Sequence, residues 1–240
     1  MHAIHLQPGR PLLAPRTRPW AGALVAGCAI LVAVLGVLFR HQARADWLDQ
    51  AIDSRVVAWL GGHDGLLLWL AAPGSLIPAV AACVAIAAAC LLTGRLNGAV
   101  LAAASLPAAV GLDEALLKPL VHRTLLGSAA YPSGHTTAVF TLATTLTVLL
   151  LIPLQPARAP ALRAGIPVAA CALGVIVAIA VIGLQWHYFT DTVAGAAVAV
   201  GTVCGLALLL DLPAARRWLA WACRQPPPAQ ERRSDPARYG

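Results

Sequence analysis

The chain has 240 residues, 59% of them hydrophobic and only 11% charged, with a mean hydropathy of +0.75. So apolar a composition excludes a water-soluble domain of this length and points to a membrane protein. The net charge of +7 does not mark a nucleic-acid partner, because the basic residues are distributed around apolar runs in the pattern that orients membrane proteins.

Residues 1–19 are polar, proline-containing and basic, and read as a short cytoplasmic N-terminus. The apolar run 20–39 exceeds the roughly 7–15 residues of a signal-peptide core, so it is expected to remain as a membrane span. From Asp46 to Leu60, residues Trp47, Leu48, Ile52, Val56, Trp59 and Leu60 recur at helical spacing, with Asp49, Asp53 and Arg55 elsewhere. This predicts a short amphipathic helix that either lies on the outer membrane surface or packs on the bundle. Gly61 to Gly65 read as a hinge, with His63 and Asp64 in solvent. Further apolar runs at 73–93, 97–120, 134–153, 164–185 and 188–211 are near the length of about 20 residues that crosses a bilayer. The fold class is therefore all-α: a polytopic membrane bundle of six transmembrane helices, with the amphipathic helix between the first two. The membrane domain spans 20–211, and 212–240 form a basic, proline-rich cytoplasmic tail. The tail opens with an interfacial segment around Arg216, Arg217, Trp218 and Trp221.

If the N-terminus is cytoplasmic, the inner segments carry 12 of the 17 lysines and arginines: Arg10, Arg16, Arg18, Arg95, Arg158, Arg163, Arg216, Arg217, Arg224, Arg232, Arg233 and Arg238. The outer segments keep Arg40, Arg44, Arg55, Lys118 and Arg123. Positive-inside bias thus predicts both termini inside a plasma membrane, and the 121–134 loop and the 185–188 corner outside. Cys28, Cys83, Cys90, Cys171 and Cys204 fall in spans and Cys223 follows them, with no metal-like spacing, so neither a disulfide nor a metal site is expected.

Three polar clusters interrupt this apolar scaffold. Tyr131-Pro132-Ser133-Gly134-His135 opens the fourth span, where the helix start offers free N–H groups and a partial positive charge to an anion. Upstream lie Asp113, Glu114 and Lys118 at the end of the third span, followed by Arg123, and charge at that depth is a functional hypothesis by default. Glu114 and Lys118, four apart, are placed to pair. Downstream, His187 and Asp191 are also four apart and share a helix face, so the carboxylate is placed to fix the imidazole tautomer. If these helix mouths converge, one pocket receives cations, N–H donors, two imidazoles and a carboxylate, which is equipment for phosphoryl transfer without a metal.

Lys118 with Arg123, Pro132-Ser133-Gly134-His135 and His187-x3-Asp191 resemble the three signature motifs of the type 2 phosphatidic acid phosphatase (PAP2) superfamily. The likeness covers roughly 45–211. It implies that His187 attacks phosphorus to form a phosphohistidine with Asp191 orienting it. It implies also that His135 protonates the leaving oxygen and then activates water, while Lys118, Arg123, Ser133 and the Gly134 N–H hold the phosphate oxygens. The implied protein is a membrane phosphatase acting on a lipid phosphomonoester or diphosphate at the outer face, without cofactor or metal, its partners being the lipid phosphate and membrane lipids. Two motif positions depart from the family pattern. Leu125-Leu126 stand where the first motif has Arg-Pro, and Ala180-Val181 where the third has Ser-Arg. His122 and Gln185 are candidate replacements for the missing guanidinium, and a catalytically weakened phospholipid-binding or membrane-interaction relative is the alternative reading.

Overall fold

The computed structural model describes residues 11–151 and 160–222. Arg10, Arg158, Cys223, Arg224, Arg232, Arg233 and Arg238 lie outside the described residues, as does most of the expected basic tail. Ten α-helices are described: α1 (Arg18–Leu38), α2 (Trp47–Leu60), α3 (Asp64–Ala71), α4 (Leu76–Leu92), α5 (Leu96–Gly111), α6 (Lys118–Val121), α7 (Gly134–Leu151), α8 (Pro160–Gly183), α9 (Phe189–Leu210) and α10 (Pro213–Ala222).

Five stretches are long and apolar enough to cross a membrane: Pro15–Leu38, Asp64–Leu92, Leu96–Val121, Ala161–Gly183 and Phe189–Leu210. The shorter apolar Gly134–Leu150 is the sixth element of the helical membrane bundle. The second span starts at Asp64 rather than near 73, because α3 and α4 are joined only by a tight turn at Ala72–Gly74 and run as one apolar unit. Asp64 opens that helix, so the expected hinge narrows to the residues before it, Gly62 among them at φ +84°.

Helix α7 occupies the middle, packed against α8, α9 and α5, while α1 lies along α9 and α4 along α5. Small residues permit this closeness, as expected where lipid supplies no hydrophobic drive between helices. A Cβ on Gly174 would meet the Phe140 ring at 2.8 Å, and one on Gly195 would meet the Ser133 carbonyl oxygen at 2.6 Å and Thr137 Oγ1 at 3.0 Å. Gly74 does the same at the α3–α4 turn, where a Cβ would stand 2.8 Å from the His135 carbonyl oxygen.

The surface helix α2 packs on α8 and α9. Asp46 caps it, accepting from the Asp49 N–H at 2.8 Å. Trp47 and Trp59 are exposed, but Asp49, which the apolar pattern assigns to the polar face, is buried completely. At the opposite end of the bundle, Asp211 just past α9 is also buried, and accepts from the Leu12 and Leu13 N–H groups at 2.7 and 2.9 Å and from Arg18 at 3.4 Å. Helix α10 follows, with Trp218 and Trp221 exposed beside Arg216 and Arg217. The described cysteines are unpaired thiols.

Gly195→Ala should lower stability by about 1–3 kcal/mol, because the atom in the way is backbone and overpacking forces α7 and α9 apart. Gly165→Ala, with nothing within 4 Å, should be neutral or slightly stabilising. Thermal unfolding of both variants in detergent checks this, and equal midpoints would contradict the packing described.

Candidate active site

The end of the bundle away from Asp211 collects the tops of α4 to α9. Beyond α5 the chain widens into a π-helical turn, Leu112–Leu117, before α6. Pro119 accounts for the widening, since it has no N–H to donate and its ring crowds the carbonyl four residues back. The turn aims Lys118 into the end cavity, where its Nζ donates to Glu114 Oε1 at 2.5 Å. It also brings both neighbouring carboxylates against the start of α7: a Cβ on Gly134 would lie 3.4 Å from Glu114 Oε1 and 3.7 Å from Asp113 Oδ2.

After α6 the backbone turns through His122 at φ 52° and closes a two-residue hairpin, Thr124–Leu125 with Ser128–Ala129. Its tip, Leu126 at φ 49° and Gly127 at φ +82°, leaves Leu125 and Leu126 on the cavity rim. Ser133 then starts α7. Its hydroxyl lies 3.1 Å from Thr136 Oγ1, its N–H donates to the Asp191 carbonyl at 3.0 Å, and the side chain is fully buried. Two residues later His135 lines the cavity, its ring centroid 5.4 Å from that of Trp186.

His187 sits between α8 and α9. Its Nδ1 is 2.8 Å from the Ala130 carbonyl oxygen, which can only accept, so Nδ1 carries the proton and Nε2 keeps its lone pair. Burial, helped by the nearby positive charge of Lys118, lowers its pKa to about 4, so the ring is neutral at physiological pH. The expected role of Asp191 as the direct partner of this imidazole is not what the geometry gives. Asp191 Oδ2 accepts the Tyr188 N–H at 2.9 Å, capping α9, and Oδ1 accepts from Arg123 at 2.6 Å. Asp191 therefore fixes the start of α9, two residues beyond His187, while a backbone carbonyl fixes the ring.

Arg123 is enclosed. Its guanidinium lies between the Phe39 and Tyr188 rings, 4.0 and 4.2 Å from their centroids, and pairs with both Asp191 and Asp49. It also donates to Thr190 Oγ1 at 2.7 Å, and Asp49 in turn accepts the Thr190 N–H at 2.9 Å. All three charged side chains have no exposed surface.

Lys118, Gly134, His135 and His187 thus line one cavity of about 610 Å³, together with Glu114, Ser128 and Gln185. Ser133, Asp191 and Arg123 stand behind that lining and hold it in place. Of the two candidates for the missing guanidinium, Gln185 lines the cavity, whereas His122 is exposed and stacks on His41 with ring centroids 5.3 Å apart. Ala180 and Val181 are buried in an apolar cluster with Leu67, Ala71, Val139 and Val177, so no polar group replaces them from that side. Asp49 and the Ala130 carbonyl escaped the sequence reading. Asp49 resembles any solvated helix position, and a backbone acceptor carries no signature in sequence.

The family model described as PAP2 superfamily matches residues 28–217. Among solved structures, the chain is similar to a transmembrane PAP2-type phosphatidylglycerolphosphate phosphatase from Bacillus subtilis, with a TM-score of 0.58 and 17% identity, covering 85% of this chain and 98% of that one. No curated protein matches.

Arg123→Ala should destabilise the fold by about 3–5 kcal/mol, because it strands two buried carboxylates. Arg55→Ala, on an exposed arginine that bonds only within its own helix, should be nearly silent. Denaturation in detergent distinguishes them: a normal unfolding midpoint for Arg123→Ala with weakened phosphate binding would return that residue to the ligand.

Proposed function

The chain belongs to the PAP2 superfamily, and from that premise we propose that it is a membrane phosphatase cleaving the P–O bond of a lipid phosphate through a phosphohistidine on His187. The observation that carries this is the tautomer of His187: a neutral ring whose Nδ1 proton is held by Ala130 presents Nε2 as the nucleophile in the cavity shared with Lys118 and His135. In the proposed sequence Nε2 attacks phosphorus, Lys118 and the N–H groups at the start of α7 take the charge on the equatorial oxygens, and His135 protonates the departing lipid oxygen. His135 then takes a proton from water, the resulting oxygen attacks phosphorus, and the P–N bond breaks to restore His187. Each role is filled by a side chain or backbone group, so activity is expected to survive EDTA.

A lipid substrate is supported by a second cavity of about 720 Å³ between α4 and α5. It shares Leu76, Leu106 and Val110 with the reaction cavity and continues along Val80, Val84 and Leu91, an apolar path suited to a hydrocarbon tail. The basic residues Arg16, Arg18, Arg95, Arg216 and Arg217 belong to the other end of the bundle, which supports an inward-facing N-terminus and an outward-facing site. The fold neighbour is a phosphatidylglycerolphosphate phosphatase, and a phosphomonoester or diphosphate of some membrane lipid is the corresponding proposal here. A weakened, lipid-binding relative is favoured by two observations, the apolar Leu125 and Leu126 where the family has Arg-Pro and the buried, apolar Ala180 and Val181 where it has Ser-Arg.

Purified protein should release phosphate from phosphatidic acid or a prenyl diphosphate in mixed micelles, and His187→Ala should lose at least about 10³ of that rate. An equal rate in the variant would remove the enzyme reading. The pH profile gives a separate check. The nucleophile must be neutral, so the acid limb due to His187 should lie near pH 4, below the 6.5 of an ordinary imidazole, with the rate falling as pH drops through it. A limb at 6.5 would place the attacking group elsewhere.

A further inference from the structure

His187 borders two cavities. Besides the one it shares with Lys118 and His135, it lines another of about 520 Å³ on the α2 side, with Gln50, Asp53, Ser54 and Tyr188. Leu125, Leu126, Gln185 and His187 line both, so the two spaces meet at the imidazole. A phosphomonoester has a single ester arm, which the cavity leading to the α4–α5 groove accommodates. It leaves the α2-side space without an occupant.

Charge points the same way. Among the described residues lining either cavity, Lys118 is the one cation, and it is already paired with Glu114. Arg123, the buried guanidinium behind the lining, is committed to Asp49 and Asp191. A phosphomonoester carries about two negative charges at neutral pH, and placing both beside one neutralised lysine in a half-buried site is unfavourable. A phosphodiester carries one.

We propose that this site also takes lipid phosphodiesters, seating the lipid arm in the cavity of Lys118 and His135 and the headgroup arm in the cavity of Gln50, Asp53 and Ser54. This rests on His187 being the nucleophile. Asp53, half-buried and accepting the Phe189 N–H at 3.1 Å, suits a headgroup that bears hydroxyl or ammonium donors. The position of His135 decides which ester breaks, for it lines the lipid-side cavity and not the other. Nε2 of His187 bonds to phosphorus, and the P–O bond to the lipid breaks. Its electron pair stays on the lipid oxygen, which takes a proton from the His135 imidazolium. Water then gives a proton to His135 and its oxygen attacks phosphorus, and the P–N electrons return to His187. The products are a lipid alcohol and a soluble headgroup phosphate.

The test presents the full chain with mixed micelles of phosphatidylglycerol, phosphatidylethanolamine, phosphatidylcholine and phosphatidic acid of matched acyl chains, followed by ³¹P NMR. Glycerol phosphate and ethanolamine phosphate should appear in a His187-dependent manner, with the donor-free choline headgroup slower by about tenfold. Ser54→Phe, which fills the α2-side cavity from an exposed helix position, should cut diester cleavage about tenfold and leave phosphate release from phosphatidic acid within about twofold. Phosphate release from phosphatidic acid without any diester cleavage would overturn this inference alone, as would equal losses on both substrates in Ser54→Phe or release of the free headgroup alcohol. If no substrate gives a His187-dependent product, the inference falls together with the phosphatase reading.

Discussion

One guanidinium between two carboxylates organises the cavity end of this protein. Arg123 reaches Asp49 on α2 and Asp191 on α9 inside an aromatic sandwich, and Asp191 passes the constraint on through its own backbone carbonyl to Ser133 at the start of α7. Four separated stretches of chain are thereby fixed by charges that are wholly withdrawn from solvent. Burying such a set is expensive in isolation, and it is tolerated because hydrogen bonds from Thr190 and Tyr188 satisfy the carboxylate oxygens.

That arrangement divides the signature residues into two groups by task. Lys118, His135 and His187 face the space where chemistry would occur. Ser133, Asp191 and Arg123 act through others, by starting a helix, capping a helix and tying helices together. A motif match does not separate these tasks, since both kinds of residue recur at fixed spacing.

The membrane bundle was legible because long apolar runs have few alternatives in a bilayer, and five of the six span positions follow from hydropathy within a few residues. The start of the second span was missed because glycines beside Asp64 imitate a loop, whereas the helix simply begins there. The convergence of Lys118, His135 and His187 followed from each lying near a helix end at the same end of the bundle. The partner of Arg123 did not follow, since Asp49 sits 74 residues away in a helix that also carries Gln50, Asp53, Ser54 and Arg55, and nothing in the spacing singles it out. Nor did the role of Ala130, since its side chain is irrelevant and only its carbonyl is used.

The far end of the bundle carries its own constraint. A carboxylate just past the C-terminus of α9 stands in the negative field of that helix, and Asp211 persists there because the backbone of Leu12 and Leu13 folds back to meet it. The segment ahead of the first span is therefore a structural part of the bundle as well as a leader into the membrane. Exchanging residues 11–38 for an unrelated hydrophobic anchor would preserve insertion yet leave a sequestered anion without donors, so this span is not a modular part.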